Sequence, residues 1–127
     1  QAGVYDGMAF HRVAPGFVTQ TGALISRMSP LTARQQGLVV NLPPEFNDTR
    51  HVRGIVSMAR GDDPASATTS FFICLAEATA LDGQYTAFAR VVGGMDVIAR
   101  IEGVDRIGES PASRIDLKSV RVEGPGR

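Results

Sequence analysis

Residues 10–20, Phe10-His11-Arg12-Val13-Ala14-Pro15-Gly16-Phe17-Val18-Thr19-Gln20, gather a guanidinium, an amide and apolar side chains around a Pro-Gly turn. Arginine stays charged and presents a rigid fan of donors, and a glutamine can hold that fan in place. Over an apolar floor such a pair suits peptide recognition better than hydrolysis, which needs a nucleophile with its base. The serines Ser57, Ser66 and Ser70 show no base-and-orienter pair along the chain, and no nucleophile elbow precedes any of them. Asp62-Asp63 lie in a Gly/Ser/Ala loop and read as solvated turn formers. The two histidines, His11 and His51, have no partner at metal-ligand spacing, so no metal is expected. His11 reads as a strand histidine bonded to backbone and His51 as a loop residue. Neither glycine fingerprint for phosphates is present, and no cofactor is expected.

The elements that must position these groups are mostly strands. Alternation over 8–13 places Phe10 and Arg12 on one face, with His11 and Val13 on the other; after the turn, Val18 and Gln20 share a face over about 17–21. Ser29-Pro30 starts a short helix through Gln36, with Gly37 stopping it. Leu38-Val39-Val40 reads as a brief strand, and Leu38, Val40 and Phe46 as the anchors of a surface excursion over 23–53. Strands follow at 54–59, 71–75, 86–92 and 115–122. In Phe71-Phe72-Ile73-Cys74-Leu75 the alternation sends Phe71 and Ile73 to one side and Phe72 and Cys74 to the other, which leaves one phenylalanine free to line a groove. Leu81-Asp82-Gly83-Gln84-Tyr85 is a turn. Met95, Ile98 and Ile101 recur at helical intervals, with Asp96 and Arg100 on the wet side and Gly103 as the stop. That helix is expected over the open end of a small barrel.

Composition narrows the function classes. A chain of 127 residues, 43% hydrophobic, is read as one domain over 1–127 with a sizeable core. Gly 14 and Pro 7 point to many turns and a mainly β fold. With 13 basic and 13 acidic residues, no net field gathers nucleic acid or anionic membrane. Cys74 is the single cysteine, so no internal disulfide forms, and its apolar run marks a buried, inert thiol. The Arg60-Gly61-Asp62 triplet is read as a chance occurrence inside an ordered loop.

Tyr5-Asp6-Gly7-Met8-Ala9-Phe10-His11-Arg12 and its continuation to Gln20 resemble the signature of the cyclophilin-type peptidyl-prolyl isomerases. So do Ser57-Met58-Ala59-Arg60, Ala67-Thr68-Thr69-Ser70-Phe71-Phe72-Ile73-Cys74 and Leu81-Asp82-Gly83-Gln84-Tyr85-Thr86-Ala87-Phe88. The Pro-Pro-Glu-Phe run within 23–53 looks like the bacterial branch. The resemblance implies a cyclophilin-like closed eight-stranded β-barrel with capping helices and a proline-peptide groove on its outer wall. It also implies strands and a first helix ahead of Tyr5 that are absent from this sequence, so the domain is read as incomplete at its N-terminus.

Carried over residue by residue, Arg12 matches the catalytic arginine and Gln20 the glutamine that braces it. Phe17, Val18, Phe72 and Leu81 match the proline pocket, Tyr85 stands in the place of a pocket histidine, and Ala59 and Arg60 match the strand that holds the peptide backbone. Ser70 replaces a substrate-contacting glutamine, and Ala80 an aromatic on which cyclosporin binding leans, so cyclosporin binding is expected to be weak. The implied activity is rotation about Xaa-Pro bonds in flexible or unfolded protein segments, assisting folding with no covalent intermediate. The alternative is a proline-peptide-binding or assembly module without turnover. The compartment stays open between a bacterial cytoplasm and periplasm.

Overall fold

Pro15 and Gly16 turn the chain as their types require. Phe17 N–H donates to Ala14 C=O at 3.0 Å, and Gly16 takes φ +73°, the left-handed value that the third position of a type II turn demands. In the computed structural model, which describes residues 2–123, this turn joins strands β2 (Arg12–Ala14) and β3 (Val18–Thr21) in an antiparallel pair. With β4 (Ile55–Met58), β5 (Phe71–Cys74) and β6 (Ala87–Arg90) they form a five-stranded sheet in the order β2-β3-β5-β4-β6. Two further sheets have two strands each: β1 (Met8–Ala9) with β9 (Asp116–Leu117), and β7 (Arg106–Ile107) with β8 (Ser110–Pro111).

The closed eight-stranded barrel implied by the resemblance is therefore not formed. Closure needs an unbroken ladder around the sheet, and here the run expected as one strand over 8–13 splits at Phe10-His11. Phe10 N–H goes to Ile115 C=O on the β9 side and His11 N–H to Gln20 C=O on the β3 side. The closing strand expected over 115–122 reduces to Asp116–Leu117. The outer strands of the main sheet stay unpaired with each other. The outer edge of β2 takes one bond, Val13 N–H to Glu109 C=O, while Asn47 Nδ2 donates to Ala87 C=O of β6.

Alternation divides the core between the two faces of the sheet. Val13, Val56 and Ile73 point to one side, where α2 (Met95–Glu102) lays Ile98 and Ile101 against them. Each such side chain contributes about 1.5–3 kcal/mol when fully buried. The apolar spacing and Gly103 thus mark this helix correctly, though it covers a sheet face and not a barrel mouth; Asp96 and Arg100 pair outside at 3.7 Å. Phe10 packs on this same side as Val13, against the expected alternation, because the break at Phe10-His11 resets the period. Val18, Ile55, Phe72, Cys74 and Ala87 form the second face. Burial raises the Cys74 thiol to about 11, which keeps it protonated and inert.

The excursion over 23–53 differs from its expected form. Its helix, α1, spans Ala33–Leu38 and starts at Thr32, whose side chain accepts from Gln35 N–H while Gln35 reaches back to Thr32 N–H, a capping box. Leu38, Val40 and Phe46 are exposed and none of them enters the two core clusters. Polar bonds tie the segment down: Gln35 Nε2 to Ala2 C=O, Leu42 N–H to Ala67 C=O and Glu45 N–H to Thr86 Oγ1. The expected strand at Leu38–Val40 is replaced by a single bridge between Leu42 and Ala67.

Candidate active site

A row of directly opposed residues crosses the sheet on its second face. Arg12 lies opposite Gln20, Gln20 opposite Phe72, and Phe72 opposite Ser57. Opposed residues in a ladder point to the same side, so the register alone sets the guanidinium, the amide and the aromatic ring in line. Above them opens a groove of about 220 Å³. Arg12, Gln20, Phe17 and Val18 form one wall, Phe72 lies in the floor, and Leu81, Tyr85, Ala59 and Arg60 complete the other side. Ser70 falls outside this groove and lines an adjoining recess with Gln20, Ala59 and Arg60.

Arg12 is held at two edges. Its Nε donates to Glu109 Oε1 at 2.8 Å with Nη2 3.5 Å from Oε2, and Nη1 reaches Gln20 Oε1 at 3.5 Å. Its guanidinium carbon lies 5.8 Å from the centre of the Phe17 ring, which the Pro-Gly turn aims toward it. Opposite, Arg60 covers the Tyr85 ring at 4.7 Å and donates twice to Gln84 C=O. Tyr85 meets Phe72 edge-on at 5.7 Å. The groove thus sets apolar side chains, Phe17, Val18, Phe72 and Leu81, beside two guanidiniums and an amide.

Below Phe72 lies a polar network that the linear sequence did not reveal. His51, read as a loop residue, is buried to 1% exposure and stacks on Phe72 at 6.1 Å. Its Nδ1 is 3.1 Å from Asp82 Oδ1 and its Nε2 is 3.0 Å from Ser57 Oγ. A carboxylate accepts only, so the tautomer that satisfies both partners carries its proton on Nδ1 and accepts from Ser57 at Nε2. Ser57 thus has the base and orienter that its neighbours in sequence lack. It is nevertheless fully buried within β4, closed to any substrate, and the trio serves as a brace under the groove. His51 and Asp82 lie 31 positions apart, with no local spacing to betray the contact.

The main-chain N–H of His51 is the largest influence that holds the Asp82 carboxyl below its ordinary value of 3.8, helped by the His51 ring and the Arg50 charge. A carboxyl depressed in the folded state stabilises the fold fully above its unfolded value and loses that contribution as pH falls through the folded one. Asp82→Asn is therefore expected to be less stable than the parent at neutral pH, with the difference closing on acidification below pH 3.8. Urea midpoints across that range check this; a difference that stays constant contradicts it. His11 has no such network among the described residues. Its main-chain N–H bonds Gln20, burial lowers its ring pKa, and its Nδ1 has no hydrogen-bond partner among the described residues.

Glu109 is the second residue that sequence reading passed over, inside what read as a plain loop at 104–113. The visible signal was Gly108. It takes φ +63° in the two-residue turn between β7 and β8, followed by a glutamate whose φ is not positive, the signs of a type II′ hairpin.

Residues 1–122 match the family model described as cyclophilin type peptidyl-prolyl cis-trans isomerase/CLD. A probable peptidyl-prolyl cis-trans isomerase of Brucella abortus (strain 2308) is 42% identical over 106 residues, covering 79% of this chain and 54% of the relative. Peptidyl-prolyl cis-trans isomerase A of Dickeya dadantii is 35% identical over 131 residues, 96% of this chain and 65% of the relative. The chain thus spans about half to two thirds of the length of these relatives. Among solved structures, a Cryptosporidium parvum cyclophilin crystallised in the presence of the dipeptide Ala-Pro shares the fold with a TM-score of 0.77 at 22% identity, over 95% of this chain and 77% of that one. With its signature, its transverse row and these matches in agreement, the chain belongs to the cyclophilin-type peptidyl-prolyl cis-trans isomerase family, with bacterial members among its relatives.

Proposed function

We propose that the groove catalyses rotation about Xaa-Pro bonds in flexible protein segments, with Arg12 as the catalytic group and Gln20 as its brace. The observation that carries this reading is the Arg12-Gln20-Phe72 row, which sets a held guanidinium beside an apolar floor. A tertiary amide exchanges over tens of seconds or longer because rotation loses resonance across a barrier of about 18–20 kcal/mol. In the twisted transition state the imide nitrogen becomes pyramidal and gains a lone pair. A guanidinium N–H aimed there binds the twisted form better than either planar form, and that difference is the catalysis. No nucleophile and no covalent intermediate is required.

The remaining groove residues bind. Phe17, Val18, Phe72 and Leu81 take the proline ring and exclude water, while Ala59, Arg60 and Tyr85 flank the peptide. Ser70 contributes little, being short and placed in the neighbouring recess. The reading is tested by protease-coupled turnover of an Ala-Pro-Phe peptide with the full chain. Acceleration proportional to protein concentration supports it, and rates equal to the uncatalysed one refute it.

Cyclosporin binding is expected to be weak, since Ala80 is exposed beside Leu81 and offers no aromatic surface. Ala80→Trp is expected to tighten binding by up to roughly tenfold, the upper end of the about 0.5–1.5 kcal/mol of one well-placed aromatic contact. Calorimetric titration of both proteins reads this; equal affinities contradict it.

A further inference from the structure

We infer that Glu109 is a positioning residue for Arg12, delivered to the rim of the groove by the β7–β8 hairpin; the inference rests on the isomerase reading above. Arginine carries five N–H donors. Three are directed at Glu109 Oε1, Glu109 Oε2 and Gln20 Oε1, which leaves two, one on each terminal nitrogen. Gln20 alone, at 3.5 Å, anchors one corner and leaves the long side chain free to swing about it. Glu109 takes the Nε edge at 2.8 Å, and with two edges held the plane of the guanidinium is set.

The placement of Glu109 is itself built by the backbone. Gly108 adopts the positive φ of the tight turn, and Arg106 Nη1 closes back on Gly108 C=O at 2.8 Å. Glu109 C=O then accepts from Val13 N–H at 2.7 Å, one residue beyond Arg12 on β2. The carboxylate is thereby tied by its own main chain to the strand whose arginine it holds. The pair is half-exposed, with side chains 32% and 54% accessible. Exposed pairs contribute little to stability, so the value of this one lies in orientation.

The test measures kcat and KM for a proline peptide on the full chain, with Glu109→Ala, Glu109→Gln and the double variant with Arg12→Ala. A misplacement of about 1 Å can cost roughly 10² in rate. With Gln20 still in place, Glu109→Ala is expected to lower kcat roughly tenfold with KM unchanged, and Glu109→Gln, which keeps an acceptor, to lose less. Adding Glu109→Ala to Arg12→Ala is expected to change nothing further, as a residue that acts only through Arg12 requires. The Arg12 Nε–H resonance is expected to exchange faster with water in Glu109→Ala. Wild-type kcat in Glu109→Ala, or an equal loss with and without Arg12, overturns the inference while leaving the isomerase reading intact. An inactive parent protein overturns both.

Discussion

Arg12→Ala is expected to lower kcat/KM for a proline peptide by roughly 10²–10³, the loss typical of removing one donor aimed at a transition state. Peptide affinity should fall far less, because the apolar floor of Phe17, Val18, Phe72 and Leu81 stays in place. Thermal stability should barely move, since the ion pair with Glu109 is half-exposed. Arg12→Lys is expected to fail as a substitute. An ammonium is a point charge without the planar fork that reaches Gln20 and Glu109 together. Steady-state kinetics beside a binding titration separate the two quantities. Equal losses in affinity and rate would mean that Arg12 holds the ground state, and catalysis would then need another source.

Phe72→Ala carries the second large effect, and it strikes the fold as well as the groove. Phe72 is 5% exposed and lies between the His51 network and the groove. Its ring stacks on His51 below and meets Tyr85 at its edge. Truncation of a buried phenylalanine costs about 3–5 kcal/mol, a large share of the roughly 5–15 kcal/mol of a small domain. It also opens the His51-Asp82-Ser57 network to water. The melting temperature is expected to fall by on the order of 10 °C or more. Phe72→Leu keeps most of the volume and should restore much of the stability while still weakening peptide binding, because a flat ring surface is lost from the floor. An unchanged melting temperature for Phe72→Ala would contradict the place given to this residue.

What the sequence showed well was local. The Pro15-Gly16 turn, the alternation of Phe71 to Cys74 and the helix at 95–102 depend on neighbours within a few positions, and each forms as expected. The groove residues were found through the family signature, and all except Ser70 meet in one cleft. Long-range pairing was not legible. The strand expected over 8–13 divides because Phe10 bonds a partner at Ile115 and His11 one at Gln20, a competition that alternation cannot express. Closure of the barrel fails for the same reason, since it depends on which distant edges find each other. Leu38, Val40 and Phe46 looked like anchors because they are apolar, yet polar bonds hold their loop. His51 reaches Asp82 across 31 positions and Arg12 reaches Glu109 across 97. Contacts of that span arise from the fold, and no spacing announces them.

The central claim is that this groove binds a twisted prolyl bond better than a planar one. It is tested most directly by NMR lineshape analysis of an Ala-Pro peptide at saturating concentrations of the full chain, which reads cis/trans interconversion while the peptide is bound. The account predicts interconversion many orders of magnitude faster than the free peptide's tens to hundreds of seconds, collapsing when Arg12 is alanine. Saturable binding with interconversion as slow as in free solution would contradict it and leave a module that grips proline segments without turning them over.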